Sequence, residues 1–399
     1  MAVALALVLV LVLVLPGTVA QAFAIKHVTV EQLEKELDSI RGKSDSKIAH
    51  QLAGMELTER MNVSTLSRLE SGLRGRQSRQ ALLLLADDAV FLDSPAAEVS
   101  TDPKPDAAAR QKMADLMVAY VKKTISRFPN FFATRNTTWF ADQPDTSFSG
   151  YESMHVIGNA SETVLYRDGH EVVENANVTN KKASTGTRGV VTTGEYGPIL
   201  ITAIIDVAHG TMAWDRWEKI ESPNLNSNPG GSTSQTLAVF RFSVPRDKSH
   251  YGVTVCCSEE GLGNKRFKRF PAYHGEIALD PETGAIFRLT MQADLEPSDL
   301  VVEADLIVEF EPVEIGGIAY VCPVRSVSIS EEPMRDDSSR RPSYRNDGGY
   351  HSDAGKHGNA GTEGGLPNGR GRYQTFMSDV VFERYHLLRS ESRMVIGNN

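Results

Sequence analysis

The segment IALDPETGAIFRLTMQADL, residues 277–295, determines the fold that we expect for this chain. After the turn-forming stretch Asp280–Gly284, the apolar residues Phe287, Leu289 and Met291 alternate with polar ones. A period of two is typical of a β-strand with one buried face and one solvated face. Because Asp, Pro and Gly favour tight turns, the segment predicts a β-hairpin. Hairpins of alternating residues indicate an antiparallel sheet.

The same alternation recurs along the second half of the chain. In VEADLIVEF, residues 302–310, apolar residues at every second position from Val302 to Phe310 alternate with Glu303, Asp305 and Glu309, and Gly316–Gly317 supplies another turn. The pattern predicts roughly ten antiparallel strands. Besides those around the two turns, strands are expected at residues 137–140, 163–167, 170–176, 212–220, 237–244, 251–257 and 375–388.

Helices are predicted ahead of these strands. Thr29–Gln32 fits a capping box, and a helical module of four short helices is expected over residues 25–94. Residues 95–105 contain prolines and are interpreted as a linker. A longer helix is expected from Asp106, its N-cap, to Phe128. The predicted fold class is α+β: the module, then a long helix packed on a large curved antiparallel sheet, an open half-barrel over residues 106–389.

Two segments are expected to lie outside the packed fold. Residues 331–372 are rich in Gly, Ser, Arg and Asp and offer few apolar side chains to offset the entropy of ordering. They are interpreted as a disordered insertion between the last two strands. Residues 390–399 are interpreted as a tail.

The first residues, MAVALALVLVLVLVLPGTVAQAFA at 1–24, are typical of a secretory signal peptide. Cleavage is expected after Ala22 or Ala24, which leaves a soluble periplasmic or secreted protein. A membrane anchor is the alternative, but the apolar run is shorter than the roughly 20 residues that cross a bilayer. The segment departs from the usual pattern because its first basic residue, Lys26, follows the apolar run.

Charge and motifs argue against several function classes. The formal charge of -9 disfavours nucleic-acid binding, although residues 265–270, KRFKRF, form one basic and aromatic cluster. The sequence has no G-x-S-x-G, phosphate-loop or H-E-x-x-H motif. Asp206, His209 and Asp215 form the densest acid and base grouping, near Trp214 and Trp217. The sequence supplies no nucleophile for them, so a turn between two elements is the preferred interpretation. No catalytic residue and no cofactor is predicted.

The three cysteines predict neither a metal site nor a disulfide framework. Cys256, Cys257 and Cys322 lack the spaced Cys and His sets that bind zinc. Strand alternation places Cys257 and Cys322 on apolar faces, so they are the expected pair if a disulfide forms. Two separate buried thiols are the alternative.

The signal peptide, the helix over 106–128 and the hairpin at 277–295 together resemble the lipoprotein carrier superfamily of periplasmic proteins. The resemblance implies an antiparallel sheet folded into an open half-barrel with helices over its mouth. The helical module over 25–94 departs from that family. Residues 52–92 and FMSDVVFERYHLL, residues 376–388, also resemble secreted bacterial proteins of uncharacterised function.

The resemblance implies that side chains on the inner face of the half-barrel line an apolar concavity that holds acyl chains. The expected function is a non-enzymatic extracytoplasmic carrier or binding protein for an apolar, lipid-like ligand. Alternatives are a structural or protein-interaction module of the cell envelope and a secreted hydrolase, and the lining could equally be a dry core. The predicted lining residues are Phe240, Phe242, Phe287, Leu289, Met291, Leu306, Val308 and Phe310.

Overall fold

The computed structural model of the protein describes residues 25–125, 127–144, 151–168, 170–172, 197–223, 232–255, 267–296, 301–333 and 373–388. The predicted signal peptide, the tail and all but three residues of the predicted insertion lie outside these ranges. The exception is residues 331–333, which belong to a strand.

The helical module packs four helices and two short strands around one buried cluster of leucines, valines and isoleucines. It comprises β1 Lys26–Val28, α1 Val30–Ile40, α2 Asp45–Leu52, β2 Met55–Leu57, α3 Val63–Gly72 and α4 Arg76–Asp87. The predicted capping box is confirmed: the Thr29 side chain accepts from the Gln32 backbone N–H, and the Gln32 side chain accepts from that of Thr29. Met55 begins β2, which pairs in parallel with β1.

The described residues after the module build a large antiparallel sheet and two α-helices, together with a small separate sheet. The elements are β3 Val99–Ser100, α5 Ala107–Ile125, β4 Phe131–Pro144, β5 Tyr151–Arg167, β6 His170–Val172, α6 Pro198–Val207, β7 Thr211–Pro223, β8 Ser232–Val244, β9 Val253–Val255, β10 Phe267–Arg269, β11 Ala272–Leu279, β12 Ile286–Asp294, β13 Glu303–Ile315, β14 Ile318–Pro333 and β15 Tyr373–Leu387. Asp106 caps α5 as predicted, because its side chain accepts from the Ala109 backbone N–H at 2.7 Å.

Eleven strands form one open sheet in the order β3-β7-β8-β11-β12-β13-β14-β15-β4-β5-β6. Neighbouring strands are antiparallel throughout, and the sheet does not close into a barrel. The predicted α+β class with a large antiparallel sheet is therefore confirmed. Strands β9 and β10 form a separate two-stranded sheet. In the part of the chain that the structure describes, no helix combines the length and apolarity needed to span a bilayer.

The two faces of the central strands carry different chemistry. On one side, which we call the apolar face, β8, β12 and β13 present the side chains of Phe240, Leu289 and Val308 beneath α5 and α6. On the other side, the polar face, they and their neighbours present charged side chains beneath the helical module. The polar face comprises Arg216, Glu218, Glu276, Arg288, Glu309 and Arg325.

The expectation that the alternate face of each strand is solvated is wrong at the centre of the sheet. Every residue of β12 from Ile286 to Met291 is buried, including Arg288 and Thr290, each with 5% of its surface exposed. The reason is that the helical module covers the polar face. The module therefore packs on the sheet, and β3, inside the predicted linker, adds a strand to the sheet.

The β11–β12 turn of the opening hairpin packs directly against α5. Gly284 has a φ of 75°, and a Cβ placed there would lie 2.3 Å from the backbone carbon of Leu116 and 2.5 Å from the Met117 nitrogen. The turn thus needs glycine both for its left-handed conformation and for its close approach to a helix backbone.

We expect Gly284→Ala to lower the free energy of unfolding by about 2 kcal/mol, measured by urea denaturation. Gly317→Ala is the matched control. Gly317 has a φ of 87°, but a Cβ added to it would have nothing within 4 Å, so only the conformational cost of about 1 kcal/mol applies. Equal losses in the two variants would show that contact with α5 does not constrain the turn.

Candidate functional site

The predicted lining residues mostly come together on the apolar face. Helix α5 contributes Met113 and Met117, and α6 contributes Ala203 and Ile204, to the cluster that covers them. The lining side chains are closely covered, with exposed fractions from 0% at Val308 to 6% at Phe287. Those gathered in this cluster are Phe240, Phe242, Leu289, Met291, Leu306, Val308 and Phe310.

Phe287 departs from the predicted alternation. The pairing of β11 with β12 shifts there: Ala278 pairs with Arg288, whereas the next residue, Leu279, pairs with Ile286. The extra residue is a β-bulge, which redirects the bulged side chain. Phe287 therefore packs in a neighbouring cluster with Leu237 and Val239, and its assignment to the same lining as Leu289 and Met291 is corrected.

Helix α6, with the sequence PILITAIIDV, is the most unusual element over the apolar face. The sequence pattern did not mark it as a helix, because its apolar residues show no helical stripe. Pro198 occupies the first turn, where its missing N–H costs nothing. Ala203, Ile204 and Val207 are buried, yet Ile205 on the outer side is 48% exposed. An apolar helix with both faces apolar is typical of an element that contacts more than one apolar surface.

Asp206 fastens the C-terminal end of α6 to the sheet. Its fully buried carboxylate accepts from the His250 backbone N–H at 2.7 Å, from His250 Nδ1–H at 2.6 Å and from the Tyr273 hydroxyl at 2.9 Å. Burial, reinforced by the Asp206 charge, raises the pKa of Tyr273 above its usual range, so this hydroxyl remains a donor. We call Asp206, His250 and Tyr273 the latch.

The structure does not bring together the acid and base grouping considered from the sequence. His209 Nδ1 lies 2.9 Å from the carbonyl oxygen of Ile205, and Asp215 contacts Arg216 and Arg241 on the opposite face. His250 was missed, because 44 residues separate it from Asp206. In some active sites a carboxylate orients the imidazole of a histidine that acts as a general base. Within the described chain, however, His250 hydrogen-bonds only to Asp206, so no nucleophile is in place.

The polar face holds a buried ionic network that joins the helical module to the sheet. Glu218, with 0% of its surface exposed, accepts from Arg288 at 2.6 and 2.8 Å and from Arg60 of the module at 2.9 Å. Arg216 also donates to Glu218, at 3.0 Å, and holds both oxygens of Glu276 at 2.9 Å. We call Arg60, Arg216, Glu218, Glu276 and Arg288 the ionic network.

The arginines outweigh burial in setting the charge of these carboxyls. Burial alone would raise the pKa of Glu276, but hydrogen bonds and charge from Arg216, with the charge of Arg288, lower it to about 2. Burial also raises the pKa of Glu218, but the hydrogen bonds and charge of Arg288 and the charge of Arg60 outweigh it and hold this pKa well below its usual range. Both carboxyls are therefore ionised in neutral solution.

A second ionic cluster lies further along the polar face. Arg325 of β14 is 2% exposed and donates to Asp379 of β15 at 2.7 Å and to Asp87 of α4. Glu309 of β13 lies 3.5 Å from the same guanidinium. The cluster ties the last turn of α4 to the three strands β13, β14 and β15. Sequence reasoning missed both clusters because it assigned these alternate residues to solvent.

Glu311 at the edge of the polar face provides a pH-dependent test of this burial. Burial, with the nearby charge of Glu309, raises the pKa of Glu311 to about 7. Because the pKa of Glu311 is raised in the folded state, its contribution to the free energy of unfolding is most favourable below the pKa of an unfolded Glu, near 4.3. That contribution is lost as the pH rises through about 7. We expect Glu311→Gln to be more stable than wild type by about 1 kcal/mol or more at pH 8.5, with a smaller difference at pH 5, in urea titrations.

Glu314, which is exposed on the same strand, is the matched control: Glu314→Gln should keep the wild-type pH dependence. If the difference between Glu311→Gln and wild type were the same at both pH values, the carboxyl would not be buried as described.

The cysteines are only partly placed. Cys322 is buried in a cluster with Phe131 and Tyr166 and forms no disulfide with a described residue, and burial raises the pKa of its thiol. Cys256 and Cys257 lie outside the described residues, so the pairing of Cys257 with Cys322 stays a prediction. Among the described side chains, no group of three or more His, Cys, Asp and Glu residues is arranged to hold a metal ion.

Comparisons with known proteins give no relative: no protein-family model, no curated protein and no solved structure matches this chain significantly.

Proposed function

We propose that the protein is an extracytoplasmic binding protein or carrier for an apolar, lipid-like ligand held between the apolar face and the helices α5 and α6. The observation that supports this most directly is the composition of the apolar face and of the helices that cover it. Large apolar side chains of β8, β12 and β13 share one cluster with α5 and α6, and α6 is an apolar helix whose Ile205 is exposed on the other side. The resemblance to lipoprotein carriers supports the same function and a periplasmic or secreted location.

Ligand entry requires α6 to move, because the lining side chains of this cluster are at most 4% exposed with the helix in place. An acyl chain that replaced α6 would cover the same side chains. Each methylene that it buries contributes about 0.8 kcal/mol, so a long chain can compensate for the helix contacts that are lost. In this state α6 exposes its own apolar face, which suits transfer of the ligand between apolar surfaces.

The latch sets the cost of that movement in this proposal. Tyr273 belongs to β11 and His250 follows β8, so both hold Asp206 against the sheet. Removing one hydrogen bond to a charged group changes a free energy by about 1.5 to 3 kcal/mol. A loosened latch should therefore admit a ligand faster without any change in the lining.

Two measurements test this function. The first is mass spectrometry of lipids extracted from the purified protein, in which we expect acyl-chain lipids. The second is the association rate of cis-parinaric acid, a fluorescent fatty acid, measured by stopped flow. We expect Tyr273→Phe to raise this rate about tenfold or more, because it removes one of the latch hydrogen bonds.

Tyr251→Phe is the matched control for the second measurement. The ring of Tyr251 lies 5.3 Å from that of Tyr273, but its hydroxyl donates to the Ala304 carbonyl at 3.3 Å and not to Asp206. We expect the wild-type rate. Absence of co-purified lipid together with absence of parinaric acid binding in wild type and Tyr273→Phe would overturn the proposed function.

A further inference from the structure

We propose that a second site, on the polar face and separate from the apolar lining under α5 and α6, binds a small organic carboxylate. The site is a cavity of about 330 Å³ between the helical module and strands β8, β11 and β12. Ligand sites often lie where two packed units meet, and this volume is at the lower end of those that hold small molecules. Its walls are Arg60, Val90–Asp93, Arg241, Phe242, His274–Glu276, Thr290 and Gln292.

The carboxylates of the ionic network are shared unevenly among its guanidinium groups. Arg216 contacts Asp215, Glu218 and Glu276, and Arg288 contacts Glu218 and Glu276. Among the described carboxylates, Arg60 contacts Glu218 alone. Buried charges are normally paired, so Arg60 is the position at which a negative partner is favoured.

Arg60, the guanidinium with the fewest carboxylate partners, also lines the cavity. Both of its hydrogen bonds within the described chain use Nη2, one to Ser94 at 2.6 Å and one to Glu218 at 2.9 Å. Donors on Nε and Nη1 thus remain for a ligand. Burial and the charge of Arg288 lower the pKa of Arg60, and the charges of Glu218, Glu309 and Glu276 oppose this shift. The Arg241 side chain, 57% exposed, lies on the wall of the same cavity and adds a second cation.

The remaining walls define the rest of the ligand. Val90, Phe91 and Leu92, which follow α4, provide an apolar wall, and Leu92 is 41% exposed. The two acidic residues at the cavity are accounted for: Glu276 is held by Arg216, and Asp93, 88% exposed, lies 3.6 Å from Arg241. A monocarboxylate with a compact apolar body fits these walls, whereas a second negative charge would approach Glu276 and Asp93.

Isothermal titration calorimetry with benzoate tests the site, with benzyl alcohol as the uncharged probe of the same shape. We expect wild type to bind benzoate at least about tenfold more tightly than benzyl alcohol. Arg60→Gln should weaken benzoate binding about tenfold or more. Arg241→Gln should weaken it about threefold, because this side chain is exposed.

Arg246→Gln is the matched control, since Arg246 is 61% exposed and pairs with Glu296 away from the cavity; it should bind benzoate like wild type. If Arg60→Gln fails to fold by circular dichroism, the comparison of the two probes and the Arg241→Gln variant decide. Absence of benzoate binding in wild type, equal affinity for benzyl alcohol, or an unchanged affinity in Arg241→Gln overturns the proposal. None of these outcomes affects parinaric acid binding on the apolar face.

Discussion

Asp206→Ala is expected to lower the free energy of unfolding by about 3 kcal/mol or more, measured by urea denaturation at neutral pH. The carboxylate is fully buried and accepts three hydrogen bonds, two from His250 and one from Tyr273. The variant leaves the Tyr273 hydroxyl, on a residue with 0% exposure, without its acceptor. An unsatisfied buried donor costs about 1 to 3 kcal/mol, and the loss of the charged acceptor adds to this.

Asp294→Ala is the matched control for this prediction, because Asp294 also accepts from a histidine. His274 Nδ1 lies 3.0 Å from its carboxylate, but both side chains are 52% exposed. Exposed ion pairs contribute about 0 to 1 kcal/mol, so we expect little change. If Asp206→Ala and Asp294→Ala lost similar free energies of unfolding, burial of Asp206 would not strengthen the latch. The latch would then not be what holds α6 against the sheet.

Local sequence signals predicted the elements whose stabilising contacts are also local. The capping box at Thr29 and Gln32, the cap at Asp106 and the turn before Ala285 each depend on residues within a few positions of one another. Alternation predicted the strands because each apolar side chain is covered on the same face as its second neighbours. These signals together were enough for the α+β class and the antiparallel sheet.

The contacts that position the candidate sites are not local. Alternation shows which residues share a face, but it does not show whether a helical module covers the other face. The sequence did contain one signal that the other face is buried, namely opposite charges at the centres of β12, β13 and β14. Arg288 pairs with Glu309, and Glu309 pairs with Arg325. Opposite charges at matching positions of neighbouring strands favour each other. Their registers become known only when the strands are paired, so the sequence alone left these residues on a solvated face.

Helix α6 and the latch escaped prediction for a related reason. An apolar run without polar positions fits a buried strand and a buried helix equally well. Asp206 looked like the acid of a local group with His209, but the donors that satisfy it come from the loop after β8 and from β11. A fully buried carboxylate takes whichever donors the packed structure provides.

Glu218→Gln is expected to have the largest effect on the polar face, lowering the free energy of unfolding by about 3 to 5 kcal/mol at pH 7. The amide has the same shape as the carboxylate, so packing is preserved. However, it removes the charge on which Arg60, Arg216 and Arg288 converge. Removing one partner of a buried ion pair leaves uncompensated charge, which is why the loss exceeds that of a neutral hydrogen bond.

The same network sets the acid limit of the wild-type protein. Glu276 has a folded-state pKa of about 2, below the unfolded value near 4.3. A depressed pKa means that its stabilisation is present above the unfolded value and is lost as the pH falls through the folded value. Wild type should therefore lose stability between about pH 4.5 and pH 2. Glu218→Gln should show a shallower loss over this range, because the amide does not titrate.

Two further variants separate charge from packing in this prediction. Glu34→Gln breaks the exposed contact between Glu34 and Arg68, and we expect a change of less than about 1 kcal/mol. Arg60→Met should cost less than Glu218→Gln, because Glu218 keeps both hydrogen bonds from Arg288 and the one from Arg216. If Arg60→Met were the more damaging of the two, the module would be held to the sheet by the stem and hydrogen bonds of Arg60, and not by the charge of Glu218.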